Sequence, residues 1–339
     1  MRRPTLRDVA EAAGVHPATA SRALDPALPG RIGAETTQRV QEAARRLGYT
    51  PDPLARGLRT RRSGVVGVVV PDLTNPVIPP IVRGIEEALW TAGRGCLLAD
   101  TDNDPEREAA HVAQLVARRC EALIVATAAR TSPTVAALAG GDVPTVLVTR
   151  DVDAVDLPIV AADDAAGVTA AVEHLAGLGH RRIVHLTGPS DLSTTVRRAA
   201  AFRAAIARLG LGDDPLVLHG EAFTIPAGAR VARELLDRDA GATAILAGND
   251  LIALGCLETL AAAGLRCPDD VSIAGHNDMP FVDRLTPPLT TVAIRGHEIG
   301  AAAARLVLEL LGGQPPAQRH VLLPTELVVR GSTAPPPTG

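Results

Sequence analysis

The sequence predicts an all-α helix-turn-helix head followed by an α/β core of two lobes with parallel sheets, and three observations carry that prediction. Up to Tyr49 the apolar residues recur at helical spacing, interrupted by glycines. From Val65 onward short β-branched runs alternate with amphipathic segments. The charge divides where the pattern does. Residues 1–62 hold 12 Arg against 6 acidic residues, a balance of +6, and the rest of the chain holds 22 against 32, a balance of −10. A basic head on an acidic body suits a polyanion partner for the head alone.

The first stretch, TLRDVAEAAGVHPATASRAL from Thr5 to Leu24, reads as two short helices broken at Gly14. Leu6, Val9, Ala10 and Ala13 line one face of the first helix. Thr5 and Asp8 stand at capping-box spacing, and Gly14 supplies the backbone freedom to end the helix. Pro17 fits the first position of the second helix, which turns Ala20, Ala23 and Leu24 inward and Ala18, Thr19, Ser21 and Arg22 outward. Two helices joined by a tight glycine turn, the second presenting small polar residues and one Arg, make the plan whose second helix enters a DNA major groove. A plain surface hairpin is the other reading of this stretch. A third helix is expected from about Glu35 to Leu47, with Val40, Ala43, Ala44 and Leu47 on one face and Gly48 ending it. In YTPDPLARGLRTRRSG, Asp52 and Pro53 can open a short helix, with Leu54, Ala55 and Leu58 on one face among arginines. So short a helix needs something to order against, and DNA would serve; a flexible linker is the alternative.

In the core, strands are expected at 65–70, 96–99, 122–126, 145–148, 182–186, 216–220, 243–247 and 271–275, with helical segments such as IVRGIEEALWTAG between them. Continuous apolar strands between amphipathic helices mean parallel sheets covered on both faces. Eight strands are many for one open sheet. The chain also restarts alike at VVGVVVPDLTNP and RRIVHLTGPSDLST, so two similar lobes with a ligand cleft between them follow. Aromatics are only 1% of residues, so the core must be Val, Leu, Ile and Ala; there is no Lys, and all 34 basic residues are Arg.

Several function classes find no support. The loop after the first strand, PDLTNP, is no dinucleotide or P-loop motif. No GxSxG elbow and no HExxH pair occurs, so neither catalysis nor a metal site is expected, and no cofactor. Cys96, Cys120, Cys256 and Cys267 form no CxxC and read as buried reduced thiols. The N-terminus lacks an apolar signal region and no run reaches membrane length, so a cytoplasmic protein is expected.

Taken together, TLRDVAEAAGVHPATASRAL, LGYTPDPLARGL, VGVVVPDLTNP, HLAGLGHRRIVHLTGP, ILAGNDLIALG, GHNDMPFVDRLTPPLTTV and LPTELVVRGST strongly resemble the LacI-type (lactose-repressor) transcription factors over about residues 4–333. The resemblance implies a helix-turn-helix headpiece over 1–49, a hinge helix over 50–63 and a periplasmic-binding-protein-like core over 64–333. Lobe 1 would take about 64–162 and 293–322, and lobe 2 about 163–292 and 323–333; the tail 334–339 is expected to be disordered. It further implies a ligand-responsive repressor that binds a palindromic operator in double-stranded DNA as a homodimer, answers to a sugar, and has no membrane partner. A sugar sensor without a DNA role is the alternative. The C-terminal residues show no apolar heptad, so a dimer rather than a tail-assembled tetramer is expected.

The same resemblance implies roles. Pro17, Ala18 and Arg22 face bases, of which Arg22 can grip a guanine bidentately. Thr5, Thr19 and Ser21 suit phosphates. His16 stands where the family usually has Ser and is a poorer cap, or reaches a phosphate. Leu58 matches the hinge leucine that wedges into the minor groove, accompanied by Ala55 and Arg56. In the cleft, Asp72 and Asn75 come from lobe 1, and Arg198, Phe223, Asn249, Asp250, Asn277 and Asp278 from lobe 2, a polar set with an aromatic wall that suits a sugar. Val77 and Ile78 stand where relatives carry two Phe, which removes a second aromatic wall. Asp250 could instead cap a helix near Leu251, and Asp278 could be a turn acid.

Overall fold

The computed structural model describes residues 4–24, 31–49, 63–153, 155–238, 240–313 and 316–337. The chain divides into two compact units, 1–63 and 64–339.

In the first unit, α1 (Leu6–Ala12), α2 (Pro17–Ala23) and α3 (Ala34–Leu47) enclose Val9, Ala10, Ala20, Ala23, Val40, Ala43 and Ala44. The capping box closes as its spacing predicts: Thr5 N donates to Asp8 Oδ2 at 2.7 Å and Asp8 N to Thr5 Oγ1 at 3.4 Å. Gly14 takes φ +64° between α1 and α2, a conformation cheap only for glycine. Leu47, expected on the buried face of α3, is 37% exposed. The 14-residue α3 is about 21 Å long against about 10 Å for the seven-residue α1 and α2, so its last turn has less to pack on. The expected hinge, with Ala55, Arg56 and Leu58, lies outside the described residues.

The second unit holds two six-stranded sheets. Lobe 1 contains β1 (Val65–Val70), β2 (Gly95–Asp100), β3 (Ala122–Val125), β4 (Thr145–Val148), β5 (Ile159–Ala162) and β11 (His320–Leu323), in the order β11-β5-β4-β3-β1-β2, all parallel. Its helices are α4 (Ile78–Thr91), α5 (Pro105–Ala117), α6 (Pro133–Ala139) and α11 (Gly296–Leu311). Lobe 2 contains β6 (Ile183–Thr187), β7 (Val217–His219), β8 (Ala244–Ala247), β9 (Ser272–Asn277), β10 (Thr290–Ala293) and β12 (Glu326–Val328), in the order β12-β10-β9-β8-β6-β7, with only β12 antiparallel. Its helices are α7 (Asp164–Gly177), α8 (Ser193–Arg208), α9 (Ile225–Asp237) and α10 (Asp250–Ala262). The chain passes between lobes three times, after β5, β10 and β11.

Four of these strands, β5, β10, β11 and β12, have no counterpart among the eight expected ones. Each is three or four residues long, and all flank a crossing between lobes. Length does not set them apart, since β3, β4, β7 and β8 are as short; their partners in the sheet define them.

Each lobe also crosses one helix pair at backbone contact. A Cβ on Gly84 of α4 would collide with the His297 carbonyl of α11, and one on Gly300 with the Ile81 carbonyl. In lobe 2, Gly228 of α9 and Gly255 of α10 meet the Ile252 and Ile225 carbonyls in the same way. The expected tail is tied down at its first residue: Ser272 Oγ accepts from Ala334 N at 3.0 Å, and the Ala334 carbonyl faces His180 Nε2 at 2.8 Å. Of the four free thiols, Cys120 and Cys256 are buried, whereas Cys96 and Cys267 are only half-buried. No helix among the described residues is long and apolar enough to cross a membrane.

Candidate functional site

Two surfaces collect the candidate residues. The first is α2. Its inward face is fixed by Ala20 and Ala23, leaving His16, Ala18 and Arg22 exposed and Pro17, Thr19 and Ser21 half-buried. Thr5 is exposed too, but its hydroxyl is engaged with Asp8 at 2.8 Å. His16 does cap the helix: its Nδ1 accepts from Ala18 N at 3.2 Å. That bond places the ring proton on Nε2, leaving an exposed donor.

The second surface is a cavity of about 810 Å³ between the lobes. It is lined from one side by the loops after β1, β2, β3 and β4, and from the other by those after β6 and β7. All of these are C-terminal ends of parallel strands, where sheets of this kind bind ligands. Of the ten candidates, Asp72, Asn75 and Phe223 line it. The Phe223 ring lies so close over Gly188 that a Cβ there would come within 2.7 Å of the ring.

None of the other seven lines it. Ile78 is 4% exposed in the lobe 1 core and Val77 packs against that core, so neither stands as a wall of this cavity. Both are apolar at the start of α4, and burial is their favourable place. Arg198 is buried, its Nε donating to Asp164 Oδ1 at 2.8 Å and its Nη1 to the Gly248 carbonyl at 2.6 Å. Asn249, not Asp250, caps α10, accepting from Ile252 N at 2.9 Å. Asp250 is wholly buried and ties the end of β9 to β10, accepting from Met279 N at 2.8 Å and Thr291 Oγ1 at 2.6 Å. Burial pushes its carboxyl up to about 6 against those two bonds. Asn277 and Asp278 take φ of +117° and +52°, and Asp278 pairs with Arg330 at 2.8 Å.

The cavity shows residues the sequence reading passed over. Half-buried Arg150 projects its Nη1 to Asn103 Oδ1 at 3.2 Å and the Thr127 carbonyl at 3.4 Å. Burial pushes its guanidinium down to about 10, although Asp191 and Glu108 pull the other way. Glu108, 5% exposed, accepts from Thr127 Oγ1 and, at 2.7 Å, from Ser132 Oγ. Each of these residues follows a recognisable strand or opens the next helix, so inspecting every strand's C-terminal end would have found them.

Beside the cavity Arg197 joins the lobes. From α8 it donates to Asp151 Oδ1 at 2.9 Å and to the Thr149 carbonyl at 2.6 Å in lobe 1, and its Nε lies 3.3 Å from Asp164 Oδ2. Thr149 holds φ +62°, a strained conformation for a β-branched residue. Burial alone would raise the Asp164 carboxyl, but the Arg198 charge, His276 and Arg197 outweigh it and hold it well below the usual carboxylate range. His276 Nε2 faces Asp164 Oδ1 at 3.5 Å, too far for a good hydrogen bond. Among the described residues no cluster of His, Cys, Asp and Glu suits a metal ion.

A family model described as "Bacterial regulatory proteins, lacI family" matches residues 5–52, and one described as "Periplasmic binding protein-like domain" matches residues 172–333. Over 334 residues the chain is 33% identical to the HTH-type transcriptional regulator DegA of Bacillus subtilis (strain 168), covering 98% of both. Among solved structures it is similar to the lac repressor dimer bound to operator and the anti-inducer ONPF, with a TM-score of 0.88 at 27% identity over 98% of this chain and 100% of that one. It is also similar to a complex of the transcriptional regulator CelR with cellobiose, with a TM-score of 0.74 at 31% identity over 97% and 100%.

Proposed function

The chain belongs to the lacI family of bacterial regulatory proteins, and from that membership we propose that it represses transcription in the cytoplasm as a homodimer on a two-fold operator, under the control of a sugar. The observation that carries this reading is the pairing, in one chain, of a helix-turn-helix head with a cleft at the C-terminal edges of two six-stranded sheets.

Of the three residues that face bases, Arg22 is the strong reader, with Pro17 and Ala18 limited to apolar contact such as a thymine methyl. Thr5, Thr19, Ser21 and the outward Nε2 of His16 fix register on phosphates. Leu58, with Ala55 and Arg56, enters the minor groove from the hinge. In the cleft, Asp72 and Asn75 take hydroxyls and Phe223 offers the apolar wall, while Arg198, held by Asp164 and the Gly248 carbonyl, stands with Asn249, Asp250, Asn277 and Asp278 behind that lining and fixes its shape. Dimerisation uses lobe 1, where α4 and the edge strand β2 expose Trp90 at 76%, Leu97 at 40% and Leu98 at 42%.

Ligand that binds one lobe spacing better than the other shifts operator affinity through the same coupling, typically about 1–3 kcal/mol. A gel shift of the full chain on DNA from its own promoter region tests the proposal, with saccharides added. A shifted two-fold site whose occupancy changes with a sugar supports it. Arg22→Ala is expected to cost about 1–3 kcal/mol of binding and to relax specificity at one base pair. Unchanged specificity removes Arg22 from base readout, and no DNA binding at all favours the sensor alternative.

A further inference from the structure

Three helices of the core point their N-termini into the cavity, and N-termini are the natural seats of anions because their backbone N–H groups are unpaired. Here each already carries a side-chain cap. At α5, Asp104 accepts from Glu106 N at 2.7 Å and Arg107 N at 3.2 Å. At α6, Ser132 Oγ accepts from Val135 N at 3.2 Å, and at α9, Thr224 Oγ1 accepts from Ala227 N at 3.3 Å. Each helix also carries a proline in its first turn, Pro105, Pro133 and Pro226, which has no N–H to give. A fourth helix, α8, begins beside the cavity at Leu192 with no side-chain cap, and the residue before it is Asp191.

The charges agree. Among the described residues lining the cavity there are seven carboxylates and one cation, Arg150; Arg107 and Arg230 pair with Asp102 and Glu221 of the seven, which leaves an excess of four carboxylates. The charges of Asp191 and Glu108 already act on that guanidinium. A concave wall with an excess of one sign focuses its potential and repels a ligand of that sign.

We propose that the cleft selects by charge, taking a neutral or amino-bearing saccharide and rejecting phosphorylated and carboxylated ones. The inference rests on the sugar reading above and adds the ligand's ionic class to it. Asp191 is the deciding residue for anions, because it lines the cavity and immediately precedes the cap residue of that uncapped N-terminus.

The test is titration calorimetry on the full-length protein at low salt. A panel of neutral mono- and disaccharides, including glucose, maltose and cellobiose, is run beside glucosamine, glucose 6-phosphate and glucuronate, and each neutral binder is compared with its own amino, phosphorylated and carboxylated analogues. Phosphorylated and carboxylated forms are expected to bind about tenfold or more weakly than the neutral parent, amino forms at least as tightly. The gap is expected to narrow as salt is raised. Asp191→Asn, at an exposed position, is expected to narrow it as well. A phosphorylated sugar that binds as tightly as its neutral parent overturns the inference and leaves the sugar reading standing. A panel in which no saccharide of any charge binds defeats the sugar reading and this inference with it.

Discussion

Lobe 1 and lobe 2 each build a six-stranded sheet, and each crosses a helix pair over two glycines, yet their interiors differ in polarity. The buried charge of lobe 1 is Glu108, which receives two hydroxyl donors. Lobe 2 buries Asp164, Arg198, His185, His276 and Asp250 together. Four buried polar atoms among the described residues lack a hydrogen-bond partner, the Nε2 atoms of His185 and His276 and the hydroxyls of Thr187 and Thr195, and all are in lobe 2. An unpaired buried polar group costs about 1–3 kcal/mol, so such clusters persist where they serve something besides stability. Lobe 1 therefore reads as a wall with its chemistry at the cavity rim. Lobe 2 holds a preset electrostatic interior whose outermost member, Arg197, reaches across to lobe 1.

The largest expected break in this contrast is Asp164→Ala. It leaves buried Arg198 without its carboxylate and should cost about 3–5 kcal/mol of unfolding free energy in urea titration. The lobe 1 counterpart, Glu108→Gln, keeps an acceptor for the two hydroxyls and should cost about 1–2 kcal/mol. Equal costs would erase the distinction between the two interiors. The helix crossings should behave alike instead: Gly84→Ala and Gly255→Ala each force a methyl onto a carbonyl and should cost about 1–3 kcal/mol, whichever lobe is touched.

Acid sharpens the comparison. Burial, the largest cause for both, holds His185 down at about 3 and His276 at about 4, with Arg198 nearby adding to it. Below the ordinary imidazole value of 6.5 the unfolded chain takes up protons that these two refuse, so stability falls as pH drops toward 4. Each contributes a slope of about 1.4 kcal/mol per pH unit. Asp250, raised to about 6, works in the opposite direction between about pH 6 and its ordinary 3.8, because the folded state then holds the extra proton. Asp164, held low, keeps its contribution until pH falls below its ordinary 3.8. Urea midpoints measured from pH 7 to 5 should therefore fall, with a slope that grows down to about pH 6 and then stays nearly level, and His276→Gln should flatten the curve. A curve unaffected by that change would remove His276 from the acid response.

Arg197→Ala is the smallest expected effect on stability. The side chain is 30% exposed, so its pairs are worth under about 1 kcal/mol. Its effect should fall instead on the relation between the lobes, seen as a changed ligand-free scattering profile and a changed ligand affinity. If neither moves, Arg197 is an ordinary surface pair.

Much of this molecule was legible in its residues. Thr5 with Asp8, Gly14 before a tight turn, Pro17 at a helix start and Gly48 at a helix end all do locally what their spacing implies. The parallel α/β core followed from the apolar runs, and the eight expected strands are present with ends shifted by a residue or so. His16 was less legible, since its capping bond depends on one ring nitrogen and the tautomer it adopts. In the cleft, Asp72, Asn75 and Phe223 fell where expected, whereas Arg150, Glu108 and Asp191 did not announce themselves.

The sequence by itself determined the caps, the turns, the inward faces of the helices and the alternation of strand with helix. These depend on residues three or four positions apart, and the chain carries that information in order. Only the tertiary structure decided that Asp250 braces β10, that Arg198 lies bonded inside lobe 2, and which residues face the cavity. Those assignments join residues 29 to 50 positions apart within lobe 2, and residues from both lobes at the cavity. Such residues become neighbours only when two parallel sheets gather the ends of their strands at one edge.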